Sequence, residues 1–202
     1  MNAIFDVTGI RLESKRLILR EFKPSDVDDL FEYASVPGVG EMAGWPHHPN
    51  IEESKYRVNK FINEKHTFAI VYKKNNRVIG SLGIEKYGLE DKLSEFFDYQ
   101  GREIGYVLSK DYWGKGLMPE AVNLVKDYLF NVLNYDFLLC GHYDKNHQSQ
   151  RVQEKCGFIA YRKLVFETAL GNKEPGVLML LKNPNKNIKF VFSHPETLLI
   201  NN

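Results

Sequence analysis

An α+β fold of about seven strands and about four helices is predicted for the chain from three observations. Short β-rich runs are punctuated by turn residues, two segments carry apolar residues at helical spacing, and one strand runs through a glycine turn into a helix. With 202 residues, no internal repeat and no linker-like stretch, one domain with a sizeable core is expected.

The segment 11–22, RLESKRLILREF, ends in alternating apolar and charged residues and predicts a half-buried first strand. Pro24, Ser25 and Asp28 resemble a capping box, and Val27, Leu30, Phe31 and Ala34 place one apolar face on the helix that follows. Prolines and glycines between Pro37 and Pro49 mark a loop carrying Trp45, His47 and His48; a second helix, capped by Asn50 with Glu53 at the third position, comes after it. The runs 66–72 and 77–86 flank Asn75-Asn76 and read as a hairpin of the second and third strands. Tyr87 to Gly101 is polar and irregular, an excursion leading to a fourth strand over 102–109.

DYWGKGLMPEA then opens a helix whose stripe is Ala121, Leu124, Val125, Tyr128, Leu129 and Val132. A fifth strand covers 135–143, and a short helix starts at Asn146 and stops at Cys156 before Gly157. Two last strands, 158–168 and 177–182, join around Gly171-Asn172. The domain is thus placed at residues 1–183, and 184–202, rich in Asn and Lys, reads as a loosely ordered C-terminal extension.

Lys and Arg (27) nearly balance Asp and Glu (26), which argues against nucleic acid as a partner. No run approaches the roughly 20 apolar residues of a membrane helix, and the first thirty residues lack a signal-type apolar region, so no membrane partner and a cytoplasmic location are expected. Cys140 and Cys156 lack metal-type spacing and are read as reduced, buried thiols. No metal site is predicted.

Trp113-Gly114-Lys115-Gly116 lies between a strand and a helix start, where amides without an intrahelical partner meet the positive end of the helix dipole. Glycines there let a pyrophosphate approach the backbone and tolerate positive φ. A GxG alone is weak evidence, since it serves equally as a plain turn. The second constellation, NHQSQRVQEKCGF from Asn146 to Phe158, gives the pair its specificity.

Together with EIGYVLSKDYWGKGLMPEA, it resembles the coenzyme A signature of the GNAT superfamily of N-acetyltransferases, in the branch of the ribosomal-protein N-terminal (alanine or serine) enzymes. The resemblance spans about Arg11 to Lys182. It implies a mixed, mostly antiparallel sheet whose fourth and fifth strands splay apart to admit the pantetheine arm of acetyl-CoA, the cosubstrate. Tyr106, Val107 and Leu108 match the strand positions along that arm. Trp113, Gly114, Lys115, Gly116, Leu117 and Met118 match the pyrophosphate turn, and Asn146 matches the asparagine that binds pantetheine, although a plain N-cap explains it locally. Ser149 falls where the family often places a hydroxyl near the cofactor sulfur. Lys155 to Phe158 is read as helix end, turn and core anchor. Many relatives carry a tyrosine acid seven residues after the asparagine; here that place is Gln153, so Ser149, or a water it holds, is the substitute acid.

The reaction implied is direct attack of an amine on the thioester, without metal. An α-amine with pKa about 7.7–8 is far more often neutral at pH 7 than a lysine amine near 10.4, so a protein or peptide N-terminus needs the weaker base. Glu103 is the leading candidate base, followed by Glu85 and Glu167 and then His47, His48 and His142. Trp45 is placed either against the acceptor pocket or under the loop. A polyamine, an amino acid or an aminoglycoside is the alternative acceptor, a non-catalytic acyl-CoA-binding module the alternative class, and a homodimer stays open. A dinucleotide-binding oxidoreductase is disfavoured by the lack of a GxGxxG after an early strand.

Overall fold

The computed structural model describes residues 1–88 and 93–190. Arg11 to Phe22 forms two strands rather than one, β1 (Arg11–Glu13) and β2 (Leu17–Glu21). Ser14 causes the break: its amide donates to Leu17 O at 3.0 Å and its hydroxyl accepts from Leu17 N at 3.1 Å, a local turn that competes with continued pairing. In β2, Leu17 and Leu19 are fully buried on one face while Ile18 packs on the other, the period-2 pattern the sequence carries.

Helix α1 (Val27–Ala34) begins after a 3-10 turn over Pro24–Asp26, and its box lies two residues earlier than the sequence predicts. The Lys23 amide donates to the Asp26 carboxylate at 2.7 Å, and Arg20 donates to both of its oxygens, so Asp26 outcompetes Asp28 because it has an arginine to anchor it. Helix α2 (Ile51–Glu64) starts as expected, with Asn50 Oδ1 accepting from Glu53 N. Strands β3 (Thr67–Tyr72) and β4 (Arg77–Glu85) form the predicted hairpin, and Asn76 turns it at φ 55°.

The remaining elements are β5 (Gly101–Leu108), α3 (Leu117–Asn131), β6 (Phe137–Tyr143), α4 (His147–Lys155), β7 (Ile159–Glu167) and β8 (Lys173–Lys182). They complete one 8-stranded sheet ordered β1-β2-β3-β4-β5-β6-β8-β7. Every pair is antiparallel except β5 and β6, whose parallel pairing requires the crossover that α3 supplies. The predicted fourth and fifth strands are therefore β5 and β6.

Three apolar clusters hold the layers. Ala121, Val122, Val125 and Leu129 of α3 pack with Leu17, Leu19 and Ile104 on one face of the sheet. Leu30 and Tyr33 of α1 and Val58 of α2 cover β3 and β4 on the other. Beside them, Tyr87, Leu93 and Phe96 from the irregular segment bury against β6 to β8, so that excursion is an aromatic anchor rather than a polar loop; residues 89–92 lie outside the described ones. Phe96 stacks on Phe137 at 4.4 Å, and Phe190 meets Phe96 edge-on at 4.7 Å. The chain after Asn183 is thus packed at least as far as Phe190, although its composition hides this, and the rest of the predicted extension, 191–202, lies outside the described residues.

Candidate active site

β5 and β6 share only three rungs, Gly101 with Phe137, Arg102 with Leu138 and Glu103 with Leu139. Beyond them the strands part, while β5 stays paired with β4 all the way to Leu108. The bond from Ser109 N to Ile79 O fixes the phase of that ladder. Glu103, Gly105 and Val107 turn their backbone groups to β4, and Ile104, Tyr106 and Leu108 turn theirs to the gap. Of the three strand positions predicted to run along a cofactor, Tyr106 and Leu108 thus present backbone groups there, and the Leu108 carbonyl already accepts from the Trp113 indole at 2.8 Å. Val107 contributes its side chain to the α1 and α2 face. A cleft of about 570 Å³ opens in the gap, a volume suited to a cofactor-sized ligand.

At one end of the cleft lies the turn before α3. Gly114 and Gly116 have φ of 72° and 69°, the left-handed region, and a Cβ on Gly114 would meet nothing within 4 Å. The first intrahelical bond is Glu120 N to Gly116 O, so the amides of Gly116, Leu117 and Met118 precede it and are free of the helix ladder. Leu117 and Met118 bury their side chains in the core, which leaves only their backbone for a ligand. Lys115 folds back, donating to Asp111 O at 2.6 Å with its ammonium over the Tyr112 ring. An open, amide-rich cradle at the positive end of a 15-residue helix fits a pyrophosphate.

Sequence reasoning missed what shapes this turn. Arg16 donates to Lys115 O at 2.8 Å and Gly116 O at 3.2 Å while pairing with Glu120, which also accepts from Ser14 Oγ. By tying down the turn's carbonyls, Arg16 leaves its amides facing the cleft. Arg16→Met should therefore raise the Kd for acetyl-CoA several-fold without moving kcat, as titration and steady-state kinetics would show; an unchanged Kd would make the clamp purely structural.

Across the gap, Asn146 caps α4, its Oδ1 accepting from Ser149 N at 3.1 Å, and its Nδ2 donates to Met42 O at 3.1 Å. The N-cap role is thus present, together with a tie to the 37–49 loop. Ser149 Oγ is 3.0 Å from Tyr106 Oη and accepts from Gln153 Nε2 at 3.1 Å, and burial lifts the Tyr106 phenol well above its ordinary pKa.

Glu103 stands at the fork where pairing stops. Its carboxylate lies over Gly141, where a Cβ would come within 3.6 Å of Oε1 and 2.9 Å of the Phe166 ring. No hydrogen-bond or ion-pair partner for it occurs among the described residues. Burial, and then the carboxylate of Glu85 directly opposite on β4, push its pKa up to about 7. Glu85 is held by His66 Nδ1 at 3.2 Å. Of the other candidate bases, His47 pairs with Glu41, His48 is buried against Ser54 Oγ, His142 is buried against Gln153 Oε1, and Glu167 pairs with Lys173 at the far end of β7. Trp45 packs on His48 at 5.2 Å and lines a smaller pocket of about 280 Å³ that shares Gly105, Tyr106 and Val107 with the cleft. No cluster of three metal-ligating side chains occurs among the described residues.

Residues 16–159, most of the chain, match the family described as the acetyltransferase (GNAT) domain. The chain belongs to the GNAT acetyltransferases. It is 32% identical over 130 residues, 61% of this chain and 67% of the relative, to the "uncharacterized N-acetyltransferase p20" of Bacillus licheniformis. It is 36% identical over 108 residues, 54% of this chain, to the "probable N-acetyltransferase YjcK" of Bacillus subtilis (strain 168), of whose length it spans 55%. The fold is similar to the crystal structure of the ribosomal-protein-S5-alanine acetyltransferase from Vibrio fischeri, with a TM-score of 0.65, 22% identity and 87% and 98% of the two chains covered. The family and the open sheet agree with the sequence reading, and the enzyme class is acyltransferase.

Proposed function

We propose that this acetyltransferase moves the acetyl group of acetyl-CoA directly to a primary amine, the α-amine of a protein or peptide, in the cleft between β5 and β6. The observation that carries the reading is Glu103, an unpartnered carboxyl poised near pH 7 at the fork of a cleft that ends in a phosphate-type turn. The amine attacks the thioester carbon and loses its proton to Glu103, directly or through one water. A gap-facing amide of β5 holds the oxyanion, and the C–S electron pair leaves with sulfur. The acceptor named for the Vibrio fischeri enzyme, a ribosomal-protein alanine, supports a protein N-terminus.

A polyamine acceptor is favoured instead by the pairing of Glu85 with Glu103, two carboxylates that suit a second positive charge. Acetyl transfer to a panel of N-terminal peptides, spermidine, amino acids and aminoglycosides decides between them. Peptide turnover, with kcat/KM rising between about pH 6 and 8 as Glu103 ionises and the α-amine deprotonates, is the expected result. Binding of acetyl-CoA without turnover of any amine would overturn the catalytic reading.

No acetyl-cysteine intermediate is expected. Burial raises the Cys140 thiol well above its usual range and pushes Cys156 up to about 11. Neither supplies thiolate near neutrality. Rapid-quench mass spectrometry of enzyme mixed with acetyl-CoA should find no kinetically competent acetyl adduct on either residue; finding one would replace direct transfer by a two-step path.

A further inference from the structure

We infer that Arg151 and Lys155 form a phosphate-reading edge of the cleft, through which the protein prefers a thioester of 3′-phosphorylated coenzyme A to thioesters that lack that phosphate. This inference rests on the acetyl-transfer reading above. Helix α4 turns one stripe to the cleft: Gln148, Arg151, Val152 and Lys155, spaced i, i+3, i+4 and i+7, all line it. Near the start of the helix the Ser149 hydroxyl meets Tyr106 of β5 at 3.0 Å. At the other end Cys156 Sγ lies 3.7 Å from Pro119 O, in the first turn of α3. The helix thus runs towards the glycine turn, and Lys155, next to Cys156, stands at that end of the cleft. Lys155, which the sequence reads as part of a helix end and core anchor, is exposed, as is Arg151.

Charge along the cleft is divided between its two ends. Among the described residues that line it, Arg151 and Lys155 are the only arginine and lysine, and Glu103, at the fork, is the only carboxylate. Neither basic side chain has a hydrogen bond or an ion pair among the described residues. Glu154, the one acid on α4, accepts from Gln150 Nε2 at 2.9 Å instead. The other cations around the turn are committed: Lys115 donates to Asp111 O, Lys110 to Pro37 O, and Arg16 pairs with Glu120. The amides of the turn suit a pyrophosphate, but a third phosphate, the dianionic monoester on the ribose of coenzyme A, needs countercharge of its own. A free guanidinium offers a planar fork of donors to such a group, and a free ammonium adds a point charge. A thioester without the ribose phosphate gains nothing from either.

Calorimetric titration with acetyl-CoA and with 3′-dephospho-acetyl-CoA tests this. Wild type should bind the phosphorylated form about tenfold more tightly, the scale of two exposed charge contacts acting together. Raising the salt from about 0.05 to about 0.5 M should erode that preference, because exposed charges are screened. The Arg151→Gln, Lys155→Gln double variant should lose affinity for acetyl-CoA but not for the dephospho form, so that the ratio of the two Kd values falls towards one. Arg151→Lys, which keeps the charge, should keep most of the preference. Equal affinity of wild type for the two thioesters would overturn the inference, and so would a preference that survives in the folded double variant. Equal loss of affinity for both thioesters would overturn it too, since the pair would then serve the pyrophosphate. A protein that shows the preference but acetylates no amine would support the phosphate edge and overturn only the transfer reading beneath it.

Discussion

Glu103→Gln is expected to lower kcat/KM for the amine by about 10²–10⁴-fold, the usual range for loss of a general base, while making the protein more stable above pH 7. The two effects have one cause. Folding holds the Glu103 pKa at about 7, against 4.5 for an unperturbed glutamate, first by burial and then by Glu85. Between those values the folded chain binds more protons than the unfolded one, so stability falls as pH rises from about 4.5 to about 7. The neutral amide escapes this loss. Melting temperatures of the two proteins should therefore coincide near pH 4.5, diverge through the window and stay apart above it. Glu85→Gln, by removing the opposing charge, should shift the acidic limb of the wild-type rate profile to lower pH. An active Glu103→Gln protein, or a melting-temperature gap that ignores pH, would remove Glu103 from the mechanism.

Replacing Gly116 by valine should raise the Kd for acetyl-CoA by about 100-fold or more, a loss of about 2.7 kcal/mol. Two costs combine: the turn at φ 69° must relax or strain, and the new side chain enters space that a phosphate would use. The folded protein itself has room, since the nearest atom to such a Cβ is Arg16 Nη2 at 3.8 Å. Gly114→Ala, at φ 72° with nothing within 4 Å, is the graded comparison and should weaken binding less. Calorimetric titration reads both; native affinity in a folded Gly116→Val protein would mean that the turn does not carry the pyrophosphate.

What the sequence discloses is local. The turn from Trp113 to Met118, the caps at Asn50 and Asn146 and the stripe of α3 each lie within a few residues of one another, so spacing alone reveals them. Arg16 and Gly116 are 100 positions apart, and Tyr106 and Ser149 are 43 apart, so only the folded chain shows that they meet. Glu103 is distinguishable from Glu167 only by strand register, which decides whether a carboxylate meets Glu85 or Lys173. Gln153 reads in sequence as a missing acid, because its hydrogen bonds to Gly141, His142 and Ser149 need α4 seated on β6. The split of the first strand and the seat of Phe190 follow from a serine turn and an edge-on aromatic contact that composition masks.

The three rungs between Gly101 and Glu103 also make a seam. Six residue pairs join β4 to β5 and seven join β6 to β8, so each strand at the seam is stitched more strongly to its other neighbour than across it. The molecule is in this respect two plates hinged along one short edge, with α3 as the strap across it. Amide exchange at Tyr106, whose N–H group faces the opening, then reports motion of the plates rather than melting of a strand. A ligand that bridges the opening would act as a brace between the two plates.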